Sequence, residues 1–423
     1  MAVYLKRAGG PAGQSDEETA RAVSGIITRV RLEGDSALRA YNEEFDGYTG
    51  PIGPVPASEI RDAYKSLAPP LVKALLLAAA NIKRFAEYQL TMFKDMEAEL
   101  MPGVTLGHRV IPVSACACYV PGGRYPLPSS ALMTVIPAKA AGVKRVAAFS
   151  PHLRGGAGGI EPATLAAMDI AGADEIYCLG GSQGVPAFAF GTATIAPADF
   201  IAGPGNRFVT EAKRQVFGQV GIDFVAGPSD VLIIADASGR ADFIAADLLA
   251  QSEHDPLAKG VLLCTDRRLG LAVIKQVESL LETLPTREVA GQAWRANGQV
   301  RLCEDLREAA RVANEAAPEH LELQVSEPRE LLPLLNNYGS LFIGENSAEV
   351  YGDYTSGTNH ILPTMGAARY TGGVWVGTFL KTVTHQRITA AGVTALAGAA
   401  ADIARAEGLY GHKLAAELRI KAT

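Results

Sequence analysis

The chain is short of everything that marks a nucleic-acid binder. Lys and Arg number 39 against 45 Asp and Glu, the net charge is −6, and no basic run occurs. Proteins that grip phosphate backbones rely on clustered Lys and Arg, so nucleic acid is not an expected partner. Long apolar runs are also missing. The strongest candidate, LVKALLLAAANIKRF, is broken by lysines, whereas a bilayer span needs about 20 consecutive apolar residues. No membrane role is expected. The opening MAVYLKRAGG lacks the apolar stretch of a secretory signal. Cysteine is scarce: five residues, an odd number, with Cys116 and Cys118 spaced C-x-C and no second Cys/His pair nearby. That argues against a disulfide framework and against a cysteine-built zinc site. Reduced thiols and a cytoplasmic location are expected. Internal repeats and low-complexity tracts are absent.

What is present suits a large enzyme. The 423 residues are 48% hydrophobic, enough for two or three domains with a sizeable core. Residues 16–98 read as helical: apolar residues recur at helical spacing and acids lie near the start of SDEETARAVSGIITRVRLEG. From about 110 the texture changes. Short β-rich runs (SACACYV, RVAAFS, EIYCLGG, VLIIAD, GVLLCTD) alternate with Ala-rich helical stretches. This β-α-β cadence predicts mostly parallel sheets covered by helices. The units are too many for one small sheet, so two stacked α/β lobes are expected. After 385 the chain reads as helical again.

Four Gly-rich segments fall where strands are expected to end: VPGGRYP (120–126), LGGSQG (179–184), AGPGNRF (202–208) and AGPSD (226–230). None is a G-x-G-x-x-G fingerprint or a P-loop. Each alone fits a strand-to-helix turn that needs positive φ. Together they suggest one crevice at the carboxyl ends of strands, lined by main-chain N–H groups able to hold an anion.

The polar residues cluster as well. LLAQSEHDP (248–256) looks like a helix end, with Gln251 and His254 one turn apart on one side. An amide oxygen and an imidazole can both ligate a divalent ion, although a solvated helix end reads the same way. APEHLEL (317–323) sets Glu319 beside His320, which suits acid–base chemistry near neutral pH. YGDYTSGTNHILPT (351–364) carries Asp353 and His360 in a turn-rich loop, where Asx turns are the alternative. Glu407 and His412 flank the terminal Gly-Leu-Tyr-Gly. Four of the seven histidines lie in these segments, each beside Gln, Asp, Asn or Glu. Such a set points to a catalytic zinc site of N and O ligands with a position left for substrate. His108 and His385 have no such neighbours and read as surface or packing residues.

In order along the chain, GGSQ…FGTATI, FVTEAKRQVFG, GIDFVAGPSDVLIIAD, DLLAQSEHDP, APEHLEL, GDYTSGTNHILPT and EGLYGHKLAAELRI resemble the histidinol dehydrogenase family from about residue 100 to the end. The resemblance implies an α/β fold of two Rossmann-like lobes with mostly parallel sheets. It implies a helical N-terminal segment (1–105) contributing to the second lobe, lobes at 106–225 and 226–365, and a helical C-terminal tail (366–423) swapped in a homodimer. It implies a zinc- and NAD-dependent enzyme that oxidises a primary alcohol through an aldehyde to a carboxylate. The implied zinc ligands are Gln251, His254 and Asp353, with His412 supplied by the partner subunit; all four would also face substrate. His320 is the implied general base and substrate contact, and Glu319 the implied activator of water. Tyr119, Gln183 and Asn206 match NAD contacts. Ser229 and Glu407 match substrate contacts, and His360 is assigned to substrate orientation, with a loop-stabilising role as the alternative.

Three departures concern the substrate. RYPLP follows the VPGG turn, MGAARYTGGVW follows NHILPT, and GPSD stands where GPSE is commoner. They put Arg124 and Arg369 near the expected pocket, and guanidinium groups suit anions. That pattern is similar to the sulfopropanediol dehydrogenase branch. Structural or cofactor roles for both arginines stay open. L-histidinol is the first substrate expectation and 2,3-dihydroxypropane-1-sulfonate the second. A non-catalytic zinc-binding relative and a zinc hydrolase are the rival classes; the Glu319–His320 pair speaks against the first, and the matched NAD contacts against the second.

Overall fold

A computed structural model describes residues 3–9, 16–122, 125–153 and 159–422. The chain divides into two units, residues 1–87 with 114–379, and residues 88–113 with 380–423.

The larger unit holds two sheets. The first is five-stranded and parallel, in the order β6 (Glu175–Cys178), β5 (Arg145–Ser150), β4 (Ala115–Tyr119), β7 (Phe200–Ala202), β8 (Gly221–Ile222). The second has the order β1 (Val3–Lys6), β11 (Gln299–Leu302), β10 (Lys259–Cys264), β9 (Asp230–Ala235), β12 (His320–Gln324), β13 (Ser340–Ile343). Only β1 runs antiparallel. Strands β5 and β9 are buried at every position after the first. Helices cover both faces of such a sheet, so its strands carry near-continuous apolar runs, which is why RVAAFS and VLIIA read so clearly.

The N-terminal segment does not go to the second lobe as a block. Strand β1 and Asn81, whose Nδ2 donates to the Thr355 carbonyl at 2.8 Å, meet that lobe. Helix Asp16–Glu33 instead buries Val23, Ile26 and Val30 in a core shared with Val185, Phe188 and Val209 of the first lobe. Helix Ala57–Ser66 packs on helix Pro162–Ile170, and Tyr64 donates to Asp169 at 2.8 Å. The apolar stripe of each helix decides where it docks, and a stripe read from sequence does not name its partner.

The smaller unit contains strand where helix was expected. Strands β2 (Met96–Met101), β3 (Val104–Pro112) and β14 (Leu380–Ile388) form an antiparallel sheet in the order β14-β3-β2. The run LKTVTHQRI has the β-branched Thr-Val-Thr that favours a pleated surface. The first parallel sheet therefore begins at Ala115 rather than 106, and residues 366–379 stay with the larger unit. The exposed His385 contacts Glu97 at 3.1 Å, and the half-buried His108 donates to the Lys94 carbonyl at 3.0 Å. Helices Ala390–Ala406 and Tyr410–Ala422 pack against each other as a hairpin. All five cysteines are free and buried. No helix among the described residues is long and apolar enough to cross a membrane.

Candidate active site

The chemistry gathers at the amino edge of the second sheet, where β9 and β12 start side by side. Asp230 opens β9 and His320 opens β12. Strand β10 runs parallel to β9 and starts at Lys259, opposite Asp230. The helix before it, Ala241–Ser252, must therefore end at this same edge, and it delivers Gln251 and, in the turn that follows, His254. Helix Glu349–Tyr354 follows β13 and brings Glu349 and Asp353 onto His320.

His320 is the hub. It is buried, and its Nδ1 lies 3.1 Å from the Asp230 carbonyl oxygen and 3.3 Å from the Gln251 amide. A carbonyl only accepts, so Nδ1 carries the proton. The structure sets Gln251 Nε2, itself a donor, against that N–H, so the contact becomes a hydrogen bond only with the amide turned over and its oxygen accepting. Nε2 faces Asp353 Oδ1 at 3.5 Å, yet neither atom makes a hydrogen bond. With Nδ1 protonated and the ring neutral, two lone pairs confront each other there. The arrangement calls for a proton or a cation between them. Glu349 Oε2 is a third buried atom without a partner.

The charges say the same. Four acids surround this one imidazole: Asp230, Glu319, Glu349 and Asp353. Burial pushes the Glu319 carboxyl up to about 8 and raises Glu349 well above the usual range. Burial also raises Asp230. Burial works to lower His320, but the Glu349, Glu319 and Asp353 carboxylates outweigh it and hold the ring protonated well above its ordinary range. Burial works to raise Asp353, but His320 beside it outweighs that and lowers it. Burial lowers His254 and His360. So many buried acids against one base is an arrangement that favours a divalent cation. His320, Glu349 and Asp353 bring ligand atoms within 4.8 Å of one another. Gln251 touches His320 directly, and His254 is close enough for its charge and that of Asp353 to act on each other. The residues present fit a metal.

His360 is held on both sides. Its Nδ1 donates to the Asp353 carbonyl at 2.8 Å, so its Nε2 accepts from the Ser130 hydroxyl at 3.0 Å. Ser130 lies in helix Pro128–Ala140, directly after β4. The Ser130–His360–Asp353 link thus joins the carboxyl edge of the first sheet to the amino edge of the second. Both ring nitrogens are spent, which fits positioning of Asp353 better than ligation.

The first sheet supplies a crevice. From β4, first in the chain, β5 and β7 lie to opposite sides, so the strand order switches between β4 and β7. Dinucleotides bind at such a switch point, outside the carboxyl ends of the strands. Tyr119 ends β4, and Gly203 follows β7 at φ 121° with its Cα against Tyr119: a Cβ there would stand 2.1 Å from the Tyr119 carbonyl oxygen. Asn206 accepts from Phe208 N and Val209 N and caps helix Arg207–Val216. Gln183 is buried, its Nε2 donating to Asn42 at 3.1 Å and Asp46 at 3.0 Å. Lys213 pairs with Asp223 and donates to the Gly203 carbonyl at 2.9 Å, which pins the Gly203 turn. Three of the four Gly-rich segments do follow strands. The fourth, AGPSD, leads into β9 and so lies at the opposite edge from the one expected. Ser229 is half-buried there, and its carbonyl accepts from Lys259 N at 3.1 Å.

The histidinol dehydrogenase family profile matches residues 11–420. The chain belongs to the histidinol dehydrogenase family. It is accordingly an NAD-dependent oxidoreductase. A histidinol dehydrogenase of Rhizobium meliloti is 45% identical over 406 residues, 96% of this chain and 92% of that protein. A sulfopropanediol 3-dehydrogenase of Ruegeria pomeroyi is 43% identical over 419 residues, 99% of this chain and 96% of that protein. The crystal structure of histidinol dehydrogenase from Elizabethkingia anophelis superimposes with a TM-score of 0.91 at 35% identity, covering 98% of this chain and 94% of that one.

Glu407 and His412 belong to the smaller unit, exposed on its helical hairpin. Arg369 is exposed and donates to the Glu315 carbonyl at 3.3 Å; it has no hydrogen bond or ion pair with Asp230, Glu319, His320 or Asp353. Arg124 lies outside the described residues. Sequence reasoning missed Asp230, Glu349 and Ser130. Glu349 and Asp353 are four apart on one helix, a spacing that could have flagged the pair. Nothing local marks Ser130, and Asp230 stands out only as the Asp of GPSD; their partners lie 230 and 89 residues away.

Proposed function

We propose that the protein oxidises a primary alcohol through an aldehyde to a carboxylate at the Asp230–Glu319–His320–Asp353 cluster, with two equivalents of NAD and a bound zinc ion. L-histidinol is the substrate this reading favours. The observation that carries it is the pairing of two buried titratable groups with different surroundings, Glu319 and His320, beside acceptor atoms that have no protein partner.

Gln251, His254 and Asp353 would hold the metal. His412 from a second copy would complete the set. When bound, the ion neutralises the carboxylates that otherwise keep His320 protonated, and it offers a Lewis-acidic point for a substrate oxygen or nitrogen. His320 Nε2 is then the atom that takes the alcohol proton, while Nδ1–H stays anchored on the Asp230 carbonyl. Glu319 keeps one oxygen on Asp230 N, and its carboxylate takes a proton from water for the aldehyde step. Two groups with separate duties suit two successive oxidations in an enclosed site. Ile403, Leu409, Tyr410, Leu414 and Leu418 are exposed on the C-terminal helical hairpin. That apolar surface supports an assembly of two copies in which Glu407 and His412 of one serve the site of the other.

The second reading, oxidation of 2,3-dihydroxypropane-1-sulfonate, is favoured by the similarity to the sulfopropanediol enzyme. The engagement of Arg369 with a main-chain carbonyl weighs against it as an anion clamp. NADH formation by zinc-loaded protein on the two substrates side by side separates the readings. Two NADH per L-histidinol supports the first. Turnover of the sulfonate alone overturns it.

A further inference from the structure

In a doubly wound sheet the adenosine half of a dinucleotide lies over the second and third strands. An acid at the end of the second strand takes the ribose 2′-hydroxyl. Here those strands are β5 and β6. Strand β5 ends at Ser150, and no Asp or Glu occurs from there until Glu161. The usual carboxylate is missing from its usual place.

Another carboxylate stands over that edge, carried by a different part of the chain. The N-terminal segment makes a π-helical turn, Asn42–Asp46, closed by Gly47 at φ 69°. Asp46 Oδ2 accepts from Gln183 Nε2 at 3.0 Å. It also lies against the main chain that follows β6: a Cβ on Gly180 would stand 2.4 Å from it. The charge of Asp46 reaches the Tyr119 hydroxyl at the end of β4. Asp46 thus lies against the turn after β6 and within reach of the charge at the end of β4, and β5 runs between those two strands.

The turn is built to be rigid. Tyr41 stacks on Phe45 with ring centroids 5.1 Å apart. Asn42 is 1% exposed, and its Oδ1 accepts from Gln183. Its Nδ2 is buried with no partner, a donor that an acceptor from a ligand or water would satisfy. Turns of this kind recur at functional sites.

We propose that Asp46, presented by the Asn42–Asp46 turn over the carboxyl edge of β5, accepts the hydroxyls of the adenosine ribose and so selects NAD over NADP. The inference rests on dinucleotide binding at the β4/β7 switch point. A carboxylate accepts two hydroxyl hydrogens from a diol and repels a 2′-phosphate.

The test is calorimetric titration of the zinc-loaded protein with NAD, NADP and 2′-deoxy-NAD. The native protein is expected to bind NAD about tenfold or more tightly than 2′-deoxy-NAD, the worth of one charge-assisted hydrogen bond, and NADP more weakly still. In Asp46→Asn the difference between NAD and 2′-deoxy-NAD shrinks and NADP binding strengthens. Equal binding of NAD and 2′-deoxy-NAD by the native protein overturns the assignment, and that arm needs no variant to fold. A folded Asp46→Asn that keeps the full discrimination overturns it too. Binding that ignores the 2′ position removes the role of Asp46 and leaves the cofactor site in place; no binding of NAD at all removes both.

Discussion

Glu319 and Asp230 exchange hydrogen bonds across the starts of β12 and β9: Glu319 N donates to Asp230 Oδ1 at 2.9 Å, and Asp230 N donates to Glu319 Oε2 at 3.0 Å. Each acid therefore fixes the main chain of the other. The exchange also orients His320, since the Asp230 carbonyl accepts from its Nδ1. A base whose Nδ1–H is anchored in this way presents a defined Nε2, which general-base catalysis requires.

Glu319→Gln tests the division of labour. The amide keeps the shape and an acceptor for Asp230 N but cannot take a proton from water. Oxidation of supplied aldehyde is expected to fall by about 10²–10⁴-fold, while NADH formation in the first, alcohol step falls far less. Rapid-mixing kinetics with alcohol and with aldehyde measure the two steps. Equal losses would mean that Glu319 shapes the site and activates nothing.

His360→Ala should act through the metal. The histidine ties the Asp353 carbonyl to Ser130, and its loss frees the helix end that aims Asp353. Residues that orient ligands are worth about 10–100-fold in metal affinity. Competition with a chromophoric chelator reads that affinity, and Ser130→Ala should give a smaller loss in the same direction. An unchanged zinc affinity in His360→Ala would return this residue to direct substrate contact.

Much of this was legible before the structure. The alternation of VLIIAD and GVLLCTD with Ala-rich helices gave the parallel sheets, because strands buried on both faces leave an unbroken apolar signature. Gln251, His254, His320 and Asp353 stood out as polar residues in apolar surroundings. The rest was hidden for identifiable reasons. β2, β3 and β14 pair at long range in a small half-exposed sheet whose pattern is weak. The helix Asp16–Glu33 shows its apolar stripe but not which lobe receives it. The acids Asp247 and Glu322 sit within helix and strand patterns that look ordinary, and only the fold brings them together.

A shared site makes a mixing prediction. In oxidation of supplied aldehyde, Glu319→Gln and His412→Ala should each be close to inactive alone. If His412 serves the second copy, a mixed dimer carries both lesions in one site and none in the other. Co-refolding equal amounts then restores about a quarter of native activity, since half the dimers of a symmetric pair are mixed and each has one intact site. Activity that stays at the level of the single variants would place His412 in its own subunit or outside the site.

The hydrogen-bonded acids Asp247 and Glu322 tie helix Ala241–Ser252 to β12. Glu322 Oε1 accepts from Glu349 N at 3.1 Å, so the pair also reaches the helix that carries Asp353. Burial pushes Glu322 up to about 8 and Asp247 up to about 6. An acid whose folded value is raised binds its proton more tightly folded than unfolded. Its stabilisation is complete below the unfolded value near 4.5 and is lost as pH rises through about 8. Metal-stripped protein should therefore lose stability steadily across that window. Glu322→Gln, which keeps an acceptor and cannot ionise, should flatten the slope and melt above the native chain at pH 9. Thermal melts from pH 5 to pH 9 decide it. Parallel curves for native and variant would mean that Glu322 stays ionised in the folded chain, with a cationic or donating partner supplied from elsewhere.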